Sequence, residues 1–291
     1  MSVDLDNEVI ENRNNSIGDA SKLSYKRSIA RFFIWLVENE PQIVSADFMD
    51  QYILESNEIE GQLTLLKDEI EVTNNQILLR RLNKQFKQAN NSLYKQRTEF
   101  IKNWIANAPD NPPANFNMIT PHLFVKWLVS LRKPSGEKPG SSTYGGHRAG
   151  LFNLFKMYKV RHDPQFTDDM ETHFRGLKRT TAKRIANGDG DIKIGKDPMD
   201  FGLYKYLGDI HLSNSSKKSI FSHLFLVLCW NLMCRAGNCA SVCHSHMEWK
   251  DDSLCVYFAH MKNDQNGERP RDPRHIYANP LCPEICPILS L

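Results

Sequence analysis

Apolar positions in KLSYKRSIARFFIWLVENE (22–40) recur at Tyr25, Ile29, Phe32, Phe33 and Leu36, one face of a helix. Lys26, Arg27 and Arg31 fall mostly on the opposite face. Ser24 is placed to cap this helix, and Pro41 stops the pattern. A short helix fits 46–54. Ile59, Leu63, Leu66, Ile70, Thr73 and Ile77 then step by fours and threes, a heptad seam. Beyond Asn74-Asn75 the phase shifts to Leu78, Leu82, Phe86, Ala89 and Leu93, giving either one stuttered helix or an antiparallel hairpin. Such a seam suits a protein–protein coiled coil, or an insertion packing on its own domain.

After the Pro/Asn-rich loop at 107–117, Thr120 caps a helix with Pro121 at its first position and Phe124, Trp127, Leu128 and Leu131 on one face. A loop at 134–142 precedes a helix over 142–160. Its apolar positions are Leu151, Leu154, Phe155 and Tyr158, and its basic ones His147, Arg148, Lys156 and Lys159. A charged helix over 168–186 carries Lys178, Arg179, Lys183 and Arg184. Pro198 opens the next helix, and the nearly all-apolar 219–234 is expected at the centre of a second core. After Glu248-Trp249 the period changes to two: Leu254, Val256 and Phe258 mark a strand, 263–267 a turn, and 275–278 a returning strand. Ile285, Ile288, Leu289 and Leu291 look like the opening of an apolar helix, as though the chain were a fragment of a longer one.

This succession predicts a fold that is mainly α with a small antiparallel β-sheet. A disordered 1–20 leads into a helical domain over 21–186, with 57–104 as a long helical insertion. A linker at 187–197 and an α+β domain over 198–291 follow. With 291 residues, 41% apolar and 24% charged, the composition is that of a globular chain of about two domains. The longest apolar run, 224–234, is too short for a membrane span and contains Asn231. The polar, acidic N-terminus is not a secretory signal. Seven cysteines, all beyond residue 228, make an odd set and point to reduced thiols in a cytosolic or nuclear protein.

The net charge of +3 is unevenly placed: −4 over 1–125, +8 over 126–220 and −1 over 221–291. A basic middle suits a polyanion-binding surface. No Gly-rich phosphate loop and no Gly-x-Ser-x-Gly elbow is present. Cys239, Cys243, His244, His246, Cys282 and Cys286 could supply metal ligands, but the spacing is not that of a CxxC site and no metal is expected.

Three features line up in order: helices with basic faces, a buried helix ending in Met233-Cys-Arg-Ala-Gly-Asn238, and Trp249 ahead of a β-hairpin bearing Lys262. This order resembles the tyrosine recombinase/integrase superfamily, most closely the eukaryotic Crypton-type recombinases and their domesticated relatives, over roughly 22–55 and 105–291. SYKRSIARFFIWL looks like the first helix of that family's core-binding domain, and SSTYGGHRAGLFNLF like its last helices. Residues 198–291 would be the N-terminal part of the catalytic domain.

The resemblance implies double-stranded DNA as partner, a nuclear location, and neither metal nor small-molecule cofactor. Family members exchange DNA strands by transesterification: a tyrosine attacks the scissile phosphate, and charge builds on its non-bridging oxygens. Arg235 matches the first catalytic arginine, whose planar fork suits those oxygens. Lys262 matches the hairpin lysine, a general acid for the leaving oxygen. Asn238 stands where many members carry an acid. The His-x-x-Arg motif and the nucleophile would lie beyond Leu291, and Tyr277 is misplaced for that role, so this chain should lack strand-cleaving activity. Two lobes would clamp the duplex chiefly by its phosphates. The candidate contacts are Lys26, Arg27, Arg31, Arg148, Lys156, Lys178, Arg179, Lys183 and Arg184. The alternative is a non-catalytic architectural DNA-binding protein that forms homo-oligomers through the 57–104 helices.

Overall fold

The computed structural model describes residues 5, 7–9, 11, 15, 17–188, 197–259 and 272–291. The described chain is mainly helical with a three-stranded antiparallel sheet, and none of its helices is long and apolar enough to cross a membrane. It divides into two compact units, Met1–Ile192 and Lys193–Leu291.

In the N-terminal unit, α1 (Asp19–Asn39) begins earlier than expected, with Gly18 rather than Ser24 as its N-cap. Asp19 suits the positive end of the helix and pairs with Lys22 at 3.2 Å, so the helix extends back by a turn. Leu5, Asn7, Glu8, Val9 and Glu11 are helical too. Leu5 and Val9 nevertheless remain largely exposed.

The face of α1 read from the sequence is the one that is buried: Ile29, Phe32, Phe33 and Leu36 each lie within the core. Phe32 packs edge-on against Phe124 at 5.3 Å and lies 4.9 Å from Trp127. Both aromatic rings belong to α4 (Pro121–Ser130), where the Thr120 hydroxyl caps the Leu123 N–H at 3.2 Å.

The expected short helix at 46–54 continues as α2 (Ala46–Val72), because nothing before Thr73 breaks it. α3 (Gln76–Asn107) returns antiparallel, with the Asn75 side chain accepting from the Ile77 and Leu78 N–H groups. The hairpin is rooted in the core, since Phe48 meets Trp104 edge-on at 5.2 Å and Tyr52 meets Phe100 at 6.0 Å. Arg97 ties its middle together, bonding Glu60, reaching Glu38 at 3.3 Å and lying over the Tyr52 ring. Leu63, Leu66 and Ile70 of one seam and Leu82, Phe86 and Leu93 of the other are sheltered within the hairpin. The heptad seam is therefore used inside the chain.

α5 (Ser141–Met157) lies beside α1, and α6 (Pro164–Ala186) packs on α4 and α5.

In the C-terminal unit, Asp200 rather than Pro198 opens α7 (Phe201–Leu212), its carboxylate accepting from the Leu203 N–H at 2.7 Å. α8 (Lys217–Leu232) is less central than its composition predicted: Val227, Leu228 and Leu232 are buried, but Ile220 and Phe221 are exposed. Tyr204 of α7 stacks on Trp230 of α8 at 4.2 Å. Short α9 (Ala236–Ala240) follows. The sheet has a strand the sequence pattern missed: β1 (Met247–Lys250), containing Trp249, pairs with β2 (Ser253–Val256) across a turn where Asp251 takes φ 53. β3 (Arg274–Ile276) completes it, with Leu254 opposite Ile276. Pro283 and Pro287 break the apolar C-terminal segment, which forms a 3-10 turn at Pro283–Ile285 instead of a helix. The 263–267 turn and most of the 187–197 linker lie outside the described residues.

Candidate nucleic-acid interface

The start of α5 gathers two arginines, several hydroxyl side chains and an uncapped helix end. Gly140 offers no side-chain cap, so N–H groups of the first turn remain free to meet an anion. Arg27 and Arg31, one turn apart on α1, face this helix end. Together with Ser24, Ser28, Ser142, Thr143, Gly146 and His147 they line a cavity of about 370 Å³. No carboxylate lines it. Arg31 is positioned by α3, its Nε donating to the Tyr94 hydroxyl at 3.1 Å.

His147, one of the basic positions of this helix, is buried, because it continues the apolar face of Leu151 and Leu154. Its Nδ1 shares a 2.6 Å hydrogen bond with the Ser28 hydroxyl, its ring meets Trp127 at 4.9 Å, and its Nε2 is buried without a partner. Burial, reinforced by the nearby Arg31 charge, brings its pKa down to about 4. At neutral pH the imidazole is thus an uncharged strut between α1 and α5.

Tyr144 lies on the same turn of α5. Burial raises its phenol pKa, while Arg184 and Arg132 oppose that shift with their positive charges. Arg132 donates from Nη1 to the Val129 and Leu131 carbonyls at 2.8 Å each. Residues 179 and 183 fall on the outward side of α6, whereas 178 and 184 flank the stripe of buried Met170 and Phe174. Lys178, Arg179 and Lys183 are exposed, and half-buried Arg184 keeps an unpartnered Nε. Arg148 is engaged within the unit: it reaches Glu171 at 3.8 Å and lies over the rings of Phe152 and Phe174. Lys26 and Lys156 are exposed. Sequence reasoning missed Ser24, Arg132, Ser142 and Thr143. The Gly-Ser-Ser-Thr run at 140–143 was the available signal.

In the C-terminal unit, Arg235 is exposed and serves as the backbone N-cap of α9, its carbonyl accepting from the Asn238 N–H at 2.9 Å. Lys262 lies outside the described residues. The metal ligands considered from spacing are not gathered into one site. Cys243 is exposed with its N–H on His246 Nδ1, and the buried Cys286 accepts from the Asn279 N–H. The one group of three metal-ligating side chains among the described residues is Cys229, Cys234 and Cys239.

No family model matches the chain, and no curated protein and no solved structure matches it.

Proposed function

We propose that the N-terminal unit is a duplex-DNA-binding module that holds the phosphate backbone at the start of α5. The observation that carries this reading is the carboxylate-free cleft in which Arg27, Arg31 and four hydroxyl side chains meet a helix N-terminus. Guanidinium forks, hydroxyls and free backbone N–H groups are the donors that phosphate oxygens accept from. Lys178, Arg179 and Lys183 extend the basic surface along α6. The recombinase resemblance agrees with the choice of double-stranded, nuclear DNA and assigns Arg235 and Lys262 to a scissile phosphate. Binding alone, and not strand transfer, is the function proposed here.

Fluorescence anisotropy with a labelled duplex of mixed sequence, over a range of salt, tests the proposal. Log K should fall linearly with log salt. Arg27→Ala and Arg31→Ala should each weaken binding and reduce the slope by about one. Lys84→Ala on the hairpin should leave both unchanged. Binding that ignores salt, or that survives the Arg27/Arg31 double variant intact, would overturn the assignment.

A further inference from the structure

We propose that Cys229, Cys234 and Cys239 form a three-thiolate zinc site at the corner between α8 and α9. Their sulfur atoms all lie within 4.8 Å of one another, and none is in a disulfide. They reach this arrangement from three different settings. Cys229 sits in the last turn of α8. Met233 then takes the left-handed conformation, φ 46 and ψ 43, and turns the chain back. Cys234 follows, its N–H donating to the Cys229 carbonyl at 3.4 Å, and Cys239 enters from α9.

Zinc–thiolate bonds of about 2.3 Å in tetrahedral array place sulfurs about 3.8 Å apart. The three thiols therefore need to close by about an ångström at most. Cys239 is buried, while Cys229 and Cys234 are half-exposed, so the group has a dry floor and an open side. No fourth His, Cys, Asp or Glu joins the group among the described residues, which leaves the fourth tetrahedral position to solvent. Thiolates bind as S⁻, so each ion taken up releases the thiol protons to solvent. The bound ion would fix the backbone from which Arg235 projects, since Arg235 directly follows Cys234.

The test is titration of the reduced 291-residue chain with cobalt(II) under anaerobic conditions. A sulfur-to-cobalt charge-transfer band should saturate at one equivalent and be displaced by zinc(II). Cys234→Ser, at a half-exposed position, should weaken zinc binding by more than about 100-fold, exceeding the loss expected for supporting residues alone. Cys243→Ser and Cys282→Ser should change nothing. In the unmodified protein, one equivalent of zinc should protect 229, 234 and 239 from alkylation, read by peptide mass spectrometry, and leave Cys243 reactive. This second measurement holds even if the serine variant fails to fold. Absence of the band, or protection centred on other cysteines, overturns the proposal.

Discussion

Acid should loosen the N-terminal unit, with the buried His147 imidazole shifted furthest and His162 shifted in the same direction by burial. His147 is 6% exposed, and its pKa of about 4 lies well below the ordinary 6.5. Between those values the unfolded chain binds a proton that the folded chain refuses. The stability tied to this ring is therefore complete above pH 6.5 and is lost as the pH falls towards 4. At about pH 4.5 the shift corresponds to a loss of about 2.5 kcal/mol, at about 1.4 kcal/mol per pK unit.

The structural cause is specific. Protonation would leave an unpartnered Nε2–H in a dry site and place a second positive charge near Arg31. The assay is urea unfolding of the full chain and of His147→Asn at neutral and at acid pH, followed by tryptophan fluorescence and circular dichroism. The variant gives up the ring contact with Trp127 and should be less stable at neutral pH by about 1–2 kcal/mol. That deficit should vanish or reverse at about pH 4.5, because asparagine does not titrate. Carboxylates contribute equally to both proteins and cancel in the difference. A wild-type advantage of the same size at both pH values would refute the reasoning.

Two glycines make separate predictions. A Cβ on Gly150 would stand 3.0 Å from the Ser28 hydroxyl oxygen and 3.1 Å from its Cβ, so Gly150→Ala should force α1 and α5 apart and cost about 1–3 kcal/mol in urea unfolding. A Cβ on Gly208 would stand 2.5 Å from the Glu284 carbonyl oxygen, a backbone atom that also accepts from His223 at 2.8 Å. Gly208→Ala should lift the Pro283–Ile285 turn off α7 and break the Lys205–Glu284 pair. Carboxypeptidase should then remove the C-terminal residues faster, and an unchanged digestion rate would count against this packing.

Periodicity made the helices legible wherever one face meets a core. It gave the buried stripe of α1 and the phase shift after Asn74-Asn75, which leaves a stuttered helix and an antiparallel hairpin both open until the Asn75 cap is seen. The burial of His147 follows the same rule, since 147, 151 and 154 stand at i, i+4 and i+7, although histidine by type also suits a surface. β1 was hidden because Glu248, Trp249 and Lys250 are all exposed and show no alternation. The cysteine cluster was hidden for a geometric reason. On an unbroken helix, residues five apart diverge by about 140°. Only the left-handed turn at Met233, a residue with no bias towards that conformation, returns Cys234 and Cys239 to the side of Cys229.

Segment charges do not locate the cleft proposed to hold phosphate. Arg27 and Arg31 come from the segment with net −4, yet they line the cleft at α5. Part of that segment's negative charge, Asp68, Glu69 and Glu71, lies near the hairpin tip. The pairings of Phe48 with Trp104 and of Tyr52 with Phe100 put Asp68 opposite roughly residue 84 of α3. From there to Tyr94, which holds Arg31, is about 15 Å along the helix. That is nearly two screening lengths at physiological salt, taken as about 8 Å each. Conversely, the +8 of the middle segment is offset from outside it by Glu40 on Lys126 and Glu284 on Lys205, while Lys133 and Arg148 pair with Glu137 and Glu171, which that net already counts. The potential that a phosphate would meet at α5 is therefore set by the cations left unpaired within a few ångströms, which is why the salt slope should follow Arg27 and Arg31 rather than the net charge of the chain.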